Sequence, residues 1–270
     1  MDRVSRYFIL YRAFLRTSIL DNIQYRASGM IWMIGAVLEP VIFLVVWSTV
    51  AESKGGEVGG YTPAQFAAYY IILMAINHLT FTWIMQTFQY RVQYGNLSHE
   101  LLRPVHPIHG DISDNIAYKI IQMTIMIPAV AILILIFDPV FELDPWRTLA
   151  VIPVIVLAAM TRFLLEWTLA LAAFWTTRIT AINQAYFVVI MFLSGRVAPL
   201  ALLPDWLQSI ATALPFYYIV AFPVDLLLGK TPAGAVLWNI LILAFWLLGA
   251  LLLISLVWSV AVKRYSAVGG

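Results

Sequence analysis

The sequence has no cysteine and little charge: Asp, Glu, Lys and Arg together make up 11% of its 270 residues. Without cysteine there is no disulfide, no thiolate metal site and no cysteine nucleophile. A net charge of only +2 leaves no basic footprint for nucleic acid. A phosphate-binding loop, G-x-x-x-x-G-K-[ST], is also missing. Its nearest approach is Gly229-Lys230-Thr231, where the first glycine would have to stand at Val224. ATP hydrolysis by this chain is excluded on that ground, and no catalytic residue is assigned. His99, His106 and His109 lie near Asp111 and Asp114, but Pro104 and Pro107 break the segment. No ligand set of known zinc geometry results, so no metal is expected.

What is abundant is apolar sequence. Hydrophobic residues make up 62% and the mean hydropathy is +0.88, against about 45–50% apolar in soluble domains. A spanning helix needs about 20 apolar residues to cross a hydrocarbon core of roughly 30 Å. Six runs qualify, at about 29–50, 64–86, 116–137, 148–172, 184–203 and 235–261. In lipid these must be helices, because each backbone polar group has to be satisfied within its own segment. The expected fold is therefore an all-α integral membrane protein with a six-helix transmembrane domain over 29–270. The first 28 residues carry Arg3, Arg6, Arg12, Arg16 and Arg26 and do not read as a cleavable signal.

Basic residues set the expected orientation. With a cytoplasmic N-terminus, the inner segments hold those five arginines and Arg91, Arg103, Lys119, Arg178, Lys263 and Arg264. The outer loops then hold only Lys54, Arg147 and Lys230. Both termini are accordingly expected in the cytoplasm, in a multi-pass protein of the plasma (inner) membrane.

Three segments outside the runs are distinctive. In residues 1–28, Val4, Tyr7, Phe8, Tyr11, Phe14 and Leu15 share one side of a helical wheel, opposite Ser5, Arg12 and Arg16. That pattern suits an amphipathic helix lying in the membrane interface, and suits equally a basic lead-in that sets topology. The loop 87–115 contains GNLSHELLRP. Gly95 and Asn96 suit a turn and a cap, Leu97 and Leu101 share a face at i,i+4, and Pro104 stops the helix. A two-turn helix results. Either its leucines fold back on the bundle or they form a knob for a groove on a soluble partner. The third segment, 204–230, is broken by Pro204, Pro215 and Pro223, each costing a helix interior about 3 kcal/mol. Two half-helices are expected, about 205–213 and 217–228, with Asp205 capping the first and Gly229 ending the second. They form a re-entrant outer hairpin or a plain interfacial loop.

Charges within the runs are costly. Glu39 precedes Pro40 in the first, as a hinge facing the pathway or as a buried carboxyl bonded to a neighbouring helix. Arg162 and Glu166 stand at i,i+4 in the fourth, which suits an intrahelical ion pair; lining of the pathway is the alternative. Arg196, near the outer end of the fifth, is expected to snorkel or to pair with the hairpin, where Asp205 or Asp225 could serve.

GNLSHELLRPVHP resembles the "G-x-L-x-x-x-L-L-R-P" loop of the permease subunits of type-2 ABC exporters. LSGRVAPLALLPDWLQSIATALPFYYIVAFPVDLLLGK, Leu193–Lys230, is similar to their "SG-x-x-x-P-L-x-x-x-P-x-W-L…P-F…FP…LLG" signature. The resemblance covers essentially the whole chain. It implies an ATP-driven exporter in which two permease chains, the same or related, form the pathway. Two cytoplasmic ABC ATPase subunits would bind beneath and carry ATP and Mg, with no cofactor on this chain. Gly95, Leu97, Glu100, Leu101, Leu102, Arg103 and Pro104 would be the coupling helix: the leucines in an ATPase groove, Glu100 and Arg103 in rim ion pairs. Pro204, Asp205, Trp206, Pro215, Phe216, Pro223 and Gly229 would belong to the outer gate. The apolar interior suits an amphipathic cargo: a drug, a lipid or a peptide. A secondary carrier and a lipid-modifying membrane enzyme are the readings from other classes. The first would place its site at a broken helix near the midplane, the second a polar acid–base cluster at one membrane face.

Overall fold

The computed structural model describes residues 3–24, 26–176 and 178–265, and among them there are helices and no strand. A basic helix, α1 (Arg3–Gln24), leads into α2 (Arg26–Ser53). α3 (Pro63–Thr80) and α4 (Ile84–Gln93) share one apolar stretch. A five-residue helix, α5 (Leu97–Leu101), precedes the long α6 (Ile108–Phe137) and α7 (Pro145–Ala170). Then come α8 (Thr180–Leu193), three short helices, α9 (Asp205–Ala213), α10 (Pro215–Ile219) and α11 (Ala221–Leu227), and a final long helix, α12 (Ala233–Ala261).

Local chemistry explains where several of these begin and end. Thr62 starts α3 with a reciprocal capping box: its side chain accepts from the Gln65 amide, and Gln65 accepts from the Thr62 amide. Asp144 caps α7 ahead of Pro145. Pro40, Pro128 and Pro153 stand inside α2, α6 and α7, which run through them unbroken.

Among the described residues, five stretches are long and apolar enough to cross a membrane: Ala27–Ser53, Pro63–Gln93, Ile108–Phe137, Pro145–Phe174 and Ala233–Arg264. The run expected at 184–203 behaves differently. Its helix, α8, has 14 residues, about 21 Å at 1.5 Å per residue, and ends at Ser194 and Gly195 rather than continuing to 203. The chain there nevertheless runs from the α4 end of the bundle to the loop between α2 and α3. At one end the Ile179 amide donates to Gln89 Oε1 at 2.9 Å, next to the end of α4. At the other, Leu202 lies against Gly59 in the loop between α2 and α3.

These contacts define two faces. One carries residues 95–109, and both described ends of the chain meet there: Tyr11 bonds His109, and Tyr265 bonds Ser98 at 2.7 Å. The opposite face gathers the loops 54–62, 138–144 and 228–232. There Lys230 Nζ donates to the Gly60 carbonyl at 2.9 Å, and Arg147 donates to the Thr231 carbonyl at 2.8 Å.

α3 is the central helix, with Phe66 to Met74 buried on all sides. α12 is apolar on every side and keeps Leu237, Phe245, Leu252 and Leu256 exposed, as expected of a helix whose surroundings are apolar too.

Candidate functional site

Gly95 takes the left-handed conformation, φ +73°, where a residue with a Cβ is strained. This turn reverses the chain out of α4 into α5. The helix that follows is one turn and a half, not two, and Asn96 is in a helical conformation with no capping bond from its side chain. α5 ends at Leu101, three residues short of Pro104.

The expected ridge of leucines divides. Leu97 is 0% exposed and sits among Phe88, Phe163, Trp167 and Phe174. Leu101 packs at the margin of the same cluster. Only Leu102 is free, at 84% exposure, with Arg103 and Pro104 exposed beside it. Leu97 and Leu101 therefore anchor the loop to its own bundle, and the surface left exposed is the tip 102–104 with Tyr94, Asn96 and His99. The reason is the apolar cluster shared by α4, α7, the turn 171–174 and α12, which takes in Leu97.

Glu100 is not a free rim charge either. Its Oε2 accepts from Arg91 Nη1 at 2.7 Å, and Arg91 Nη2 donates to Asp111 Oδ1 at 2.7 Å. Asp111 Oδ2 accepts from Trp167 Nε1 at 2.8 Å. One arginine of α4 thus ties the tip of α5 to the start of α6 and, through the indole, to α7. Burial pushes the Glu100 carboxyl above its ordinary range, with Arg91 opposing.

The histidines are structural parts of the same end. His106 meets Trp258 and Trp167 at tilted angles, with ring centroids 4.4 and 5.6 Å away. Its Nδ1 accepts from the Ile108 amide at 3.2 Å. Burial, and then His109, push the His106 pKa down. His109 Nδ1 is hydrogen-bonded to Tyr11 Oη at 2.7 Å. A second bond, Ser18 to Asp114, also fastens α1 to α6. Of the expected apolar side of α1, Tyr11, Phe14 and Leu15 are half-buried, while Tyr7 and Phe8 are exposed; the Val4 side chain lies outside the described residues.

The segment after α8 forms the opposite face. Gly195, φ +79°, is held where an added Cβ would come within 2.5 Å of Tyr69 Oη. Tyr69 donates to the Gly195 carbonyl, and Tyr70 and Trp47 both donate to that of Val197, at 2.8–2.9 Å. Beyond it, the first expected half-helix matches α9. Pro204 is the residue before that helix, so Asp205 is its first residue rather than its cap and makes no capping bond. The second half-helix, expected at 217–228, is two pieces. The Pro223 ring would clash with the carbonyl four residues back, at Ile219, and the helix breaks there, at Val220. Gly229, φ +72°, ends α11. Pro215 and Pro223 are buried, Phe216 is half-buried 5.9 Å from Tyr186, and Pro204 and Trp206 are exposed.

Among the described residues, Glu39, Arg162, Glu166 and Arg196 are each in an ion pair. Arg162 Nε donates to Glu166 Oε1 at 2.8 Å within α7, and its Nη1 reaches Asn77 at 2.9 Å and Thr80 at 3.2 Å on α3. Tyr186 of α8 donates to the same Glu166 oxygen at 3.1 Å. Arg196 pairs with Glu39, 2.6 Å from its Nη2, and not with Asp205 or Asp225. Asp225 accepts from Tyr217 instead, at 3.2 Å. Between Glu39, Asn77 and Arg196 lies a cavity of about 270 Å³ bounded by α2, α3, α6 and α8.

Sequence reasoning missed the Arg91–Asp111–Trp167 relay, since nothing in the spacing of those residues joins them. The aromatic pair at Tyr69 and Tyr70, beside the glycine of the second motif, was the available hint of the carbonyl clamp.

A family model described as ABC-2 family transporter protein matches residues 37–269. None of the curated proteins matches the chain.

Proposed function

The chain belongs to the ABC-2 transporter family, and we propose that it is the permease subunit of an ATP-driven exporter that moves an amphipathic cargo, a drug, a lipid or a peptide, outward. It is a multi-pass membrane protein and a transport component; permeases of this family generally work with ATPase subunits. On this reading two ATPase chains, loaded with ATP and Mg, dock on the face that carries residues 95–109, and a second permease chain completes the pathway. On the same reading that face, where both described ends of the chain meet, is cytoplasmic, in keeping with the bias of arginine and lysine toward it.

The observation that carries the reading is the build of the loop. Leu102, Arg103 and Pro104 are exposed together on a unit whose other side is fixed by buried Leu97 and by Arg91, bonded to both Glu100 and Asp111. Force applied at such a tip is delivered to α4, α6 and α7 rather than absorbed by a slack loop. The hairpin 204–230 then closes the outer end of the pathway. Arg162 and Glu166, fully engaged with α3 and α8, hold the bundle together, while Glu39 faces the cavity.

The test is purification from the native membrane followed by transport in vesicles. A nucleotide-hydrolysing chain should accompany this one, and export should stop when ATP is withdrawn. Export that continues in the absence of any ATPase would make the chain a secondary carrier.

A further inference from the structure

α1 lies outside the stretch that the family model matches, which begins at residue 37, and one flank of it is open. Tyr11 bonds His109 and Ser18 bonds Asp114, so α1 and the start of α6 run in the same direction along a seam. Beside that seam is a groove of about 740 Å³ between α1 and Ile116 of α6, within the range of about 300–1,000 Å³ usual for ligand sites. Half-buried Leu15 and Ile19 line it, and exposed Phe8 and Leu20 stand at its two ends.

The charge around this groove is of one sign. Arg12 and Arg16, one helical turn apart, are exposed and line it. The arginines in ion pairs among the described residues are Arg91, Arg147, Arg162 and Arg196; Arg12 and Arg16 are in none. The acids of the region are sorted away from them. Asp21, Asp111 and Asp114 line a separate cavity with Ser18 and Asn22, and no described acid lines the groove. An exposed apolar groove edged by uncompensated positive charge complements an anion that carries a long apolar tail.

Polarity is graded along the groove as it is across a membrane interface. α6 carries Asp111, Asp114 and Asn115 before Ile116, and Ile120 is exposed one turn further on. Arg12 and Arg16 precede Ser18, on the polar side of that change; Leu20 follows it, toward the apolar side. From Phe8 to Leu20 the groove runs about 18 Å, at 1.5 Å per residue. One leaflet's hydrocarbon is about 15 Å deep, half of the roughly 30 Å core.

We infer that this groove seats one anionic phospholipid, in the leaflet beside the face that carries residues 95–109. Its phosphate pairs with Arg12 and Arg16, whose planar forks match phosphate oxygens. One acyl chain lies along Leu15, Ile19 and Ile116 and leaves past Ile120. A lipid fits better than an acidic peptide, because the apolar wall continues into the hydrocarbon, where an irregular peptide backbone would go unsatisfied. The inference needs the chain in a membrane, and neither an ATPase nor transport.

The probes are phosphatidylglycerol and phosphatidylcholine with the same diazirine-bearing acyl chain. Each is added in trace amount to phosphatidylcholine nanodiscs that hold the purified chain, and labelled residues are mapped by mass spectrometry. The middle of α12, where Phe245, Leu248 and Leu252 are exposed, should take both probes equally and is the internal reference. Phosphatidylglycerol should label residues 8–20 and 113–120 about thirtyfold more than phosphatidylcholine, the factor that two arginines beside an anionic headgroup supply. The double variant Arg12→Gln with Arg16→Gln should erase that preference. Ile116→Trp, which fills the groove and keeps both arginines, should bring phosphatidylglycerol labelling down to the phosphatidylcholine level, with α12 labelled as before. The inference is overturned if the two probes label these stretches alike in the parent, or if either variant keeps the preference. Its survival in Ile116→Trp alone would make α1 a helix resting on a charged surface and not the wall of a site. The inference is also overturned if Leu20→Cys cross-links to a second copy or to a co-purifying chain, which would put protein in the groove.

Discussion

Arg91 and Asp111 are joined at 2.7 Å, and Asp111 is almost wholly buried. The pair links α4 to α6 at the face where both ends of the chain converge. Removing one member leaves the other charge buried without its partner, which costs about 3–5 kcal/mol. Arg91→Ala is therefore expected to lower thermal stability steeply in detergent. Asp111→Asn, which keeps the shape and an acceptor for Trp167, should lower it less. Equal and small losses in the two variants, by differential scanning fluorimetry, would show that the relay is not what holds this end together.

The two leucines of the loop make opposite predictions. Leu97→Ala opens a cavity in the apolar cluster that holds it and should cost about 2–5 kcal/mol of stability. Leu102→Asp changes a side chain that is 84% exposed and should alter stability by no more than about 0.5 kcal/mol. It should nevertheless abolish co-purification of the ATPase. Normal recovery of the ATPase with Leu102→Asp would move the contact away from the tip.

The helical layout was legible because apolar runs of spanning length admit no other structure in lipid. The proline-broken segment 204–230 was legible in part for the same kind of reason, since Pro204 and Pro215 stand at the starts of pieces, whereas Pro223 lies inside α11 and the break falls ahead of it, at Val220. Orientation of side chains was not. Leu97 and Leu101 share a face by spacing, but whether that face meets water or protein depends on Trp167 and Phe163 of α7, which no local pattern reports. The partner of Arg196 was beyond reach for a similar reason: Glu39 is 157 residues away, while Asp205 and Asp225 are near in sequence only. The length of α8 was misjudged because 184–203 is apolar on both sides of Ser194-Gly195-Arg196, and hydropathy cannot see that Gly195 adopts a left-handed turn.

Acid should loosen the same face through His106. Its pKa is pushed below the ordinary 6.5 by burial against Trp167 and Trp258, and protonating Nδ1 would break the bond from the Ile108 amide. As pH falls below 6.5, the unfolded chain takes up a proton that the fold resists, so stability falls through that window. It levels off once the folded pKa is passed. His106→Gln, neutral throughout, should lack this component. Melting curves between pH 7.5 and 5.5 check it; parallel slopes for parent and variant would show that another group titrates.

The absence of native cysteine makes the arrangement of the two faces directly measurable. Leu102→Cys and Lys230→Cys each place a single thiol at an exposed site on opposite faces. Both replaced residues lie outside the five apolar stretches, so neither change buries a polar group in lipid. With the 95–109 face in the cytoplasm, a membrane-impermeant maleimide on intact cells should label the Lys230 variant. It should reach the Leu102 variant only after the membrane is opened. Tyr265→Cys, beside Ser98 at the end of the described chain, should follow the Leu102 pattern, because the path from Ile179 to Leu202 runs from the α4 end of the bundle to the loop between α2 and α3 even though α8 is short. Labelling of Tyr265→Cys from outside, with Leu102→Cys still protected, would mean that this path does not cross, and that the chain ends on opposite sides of the membrane.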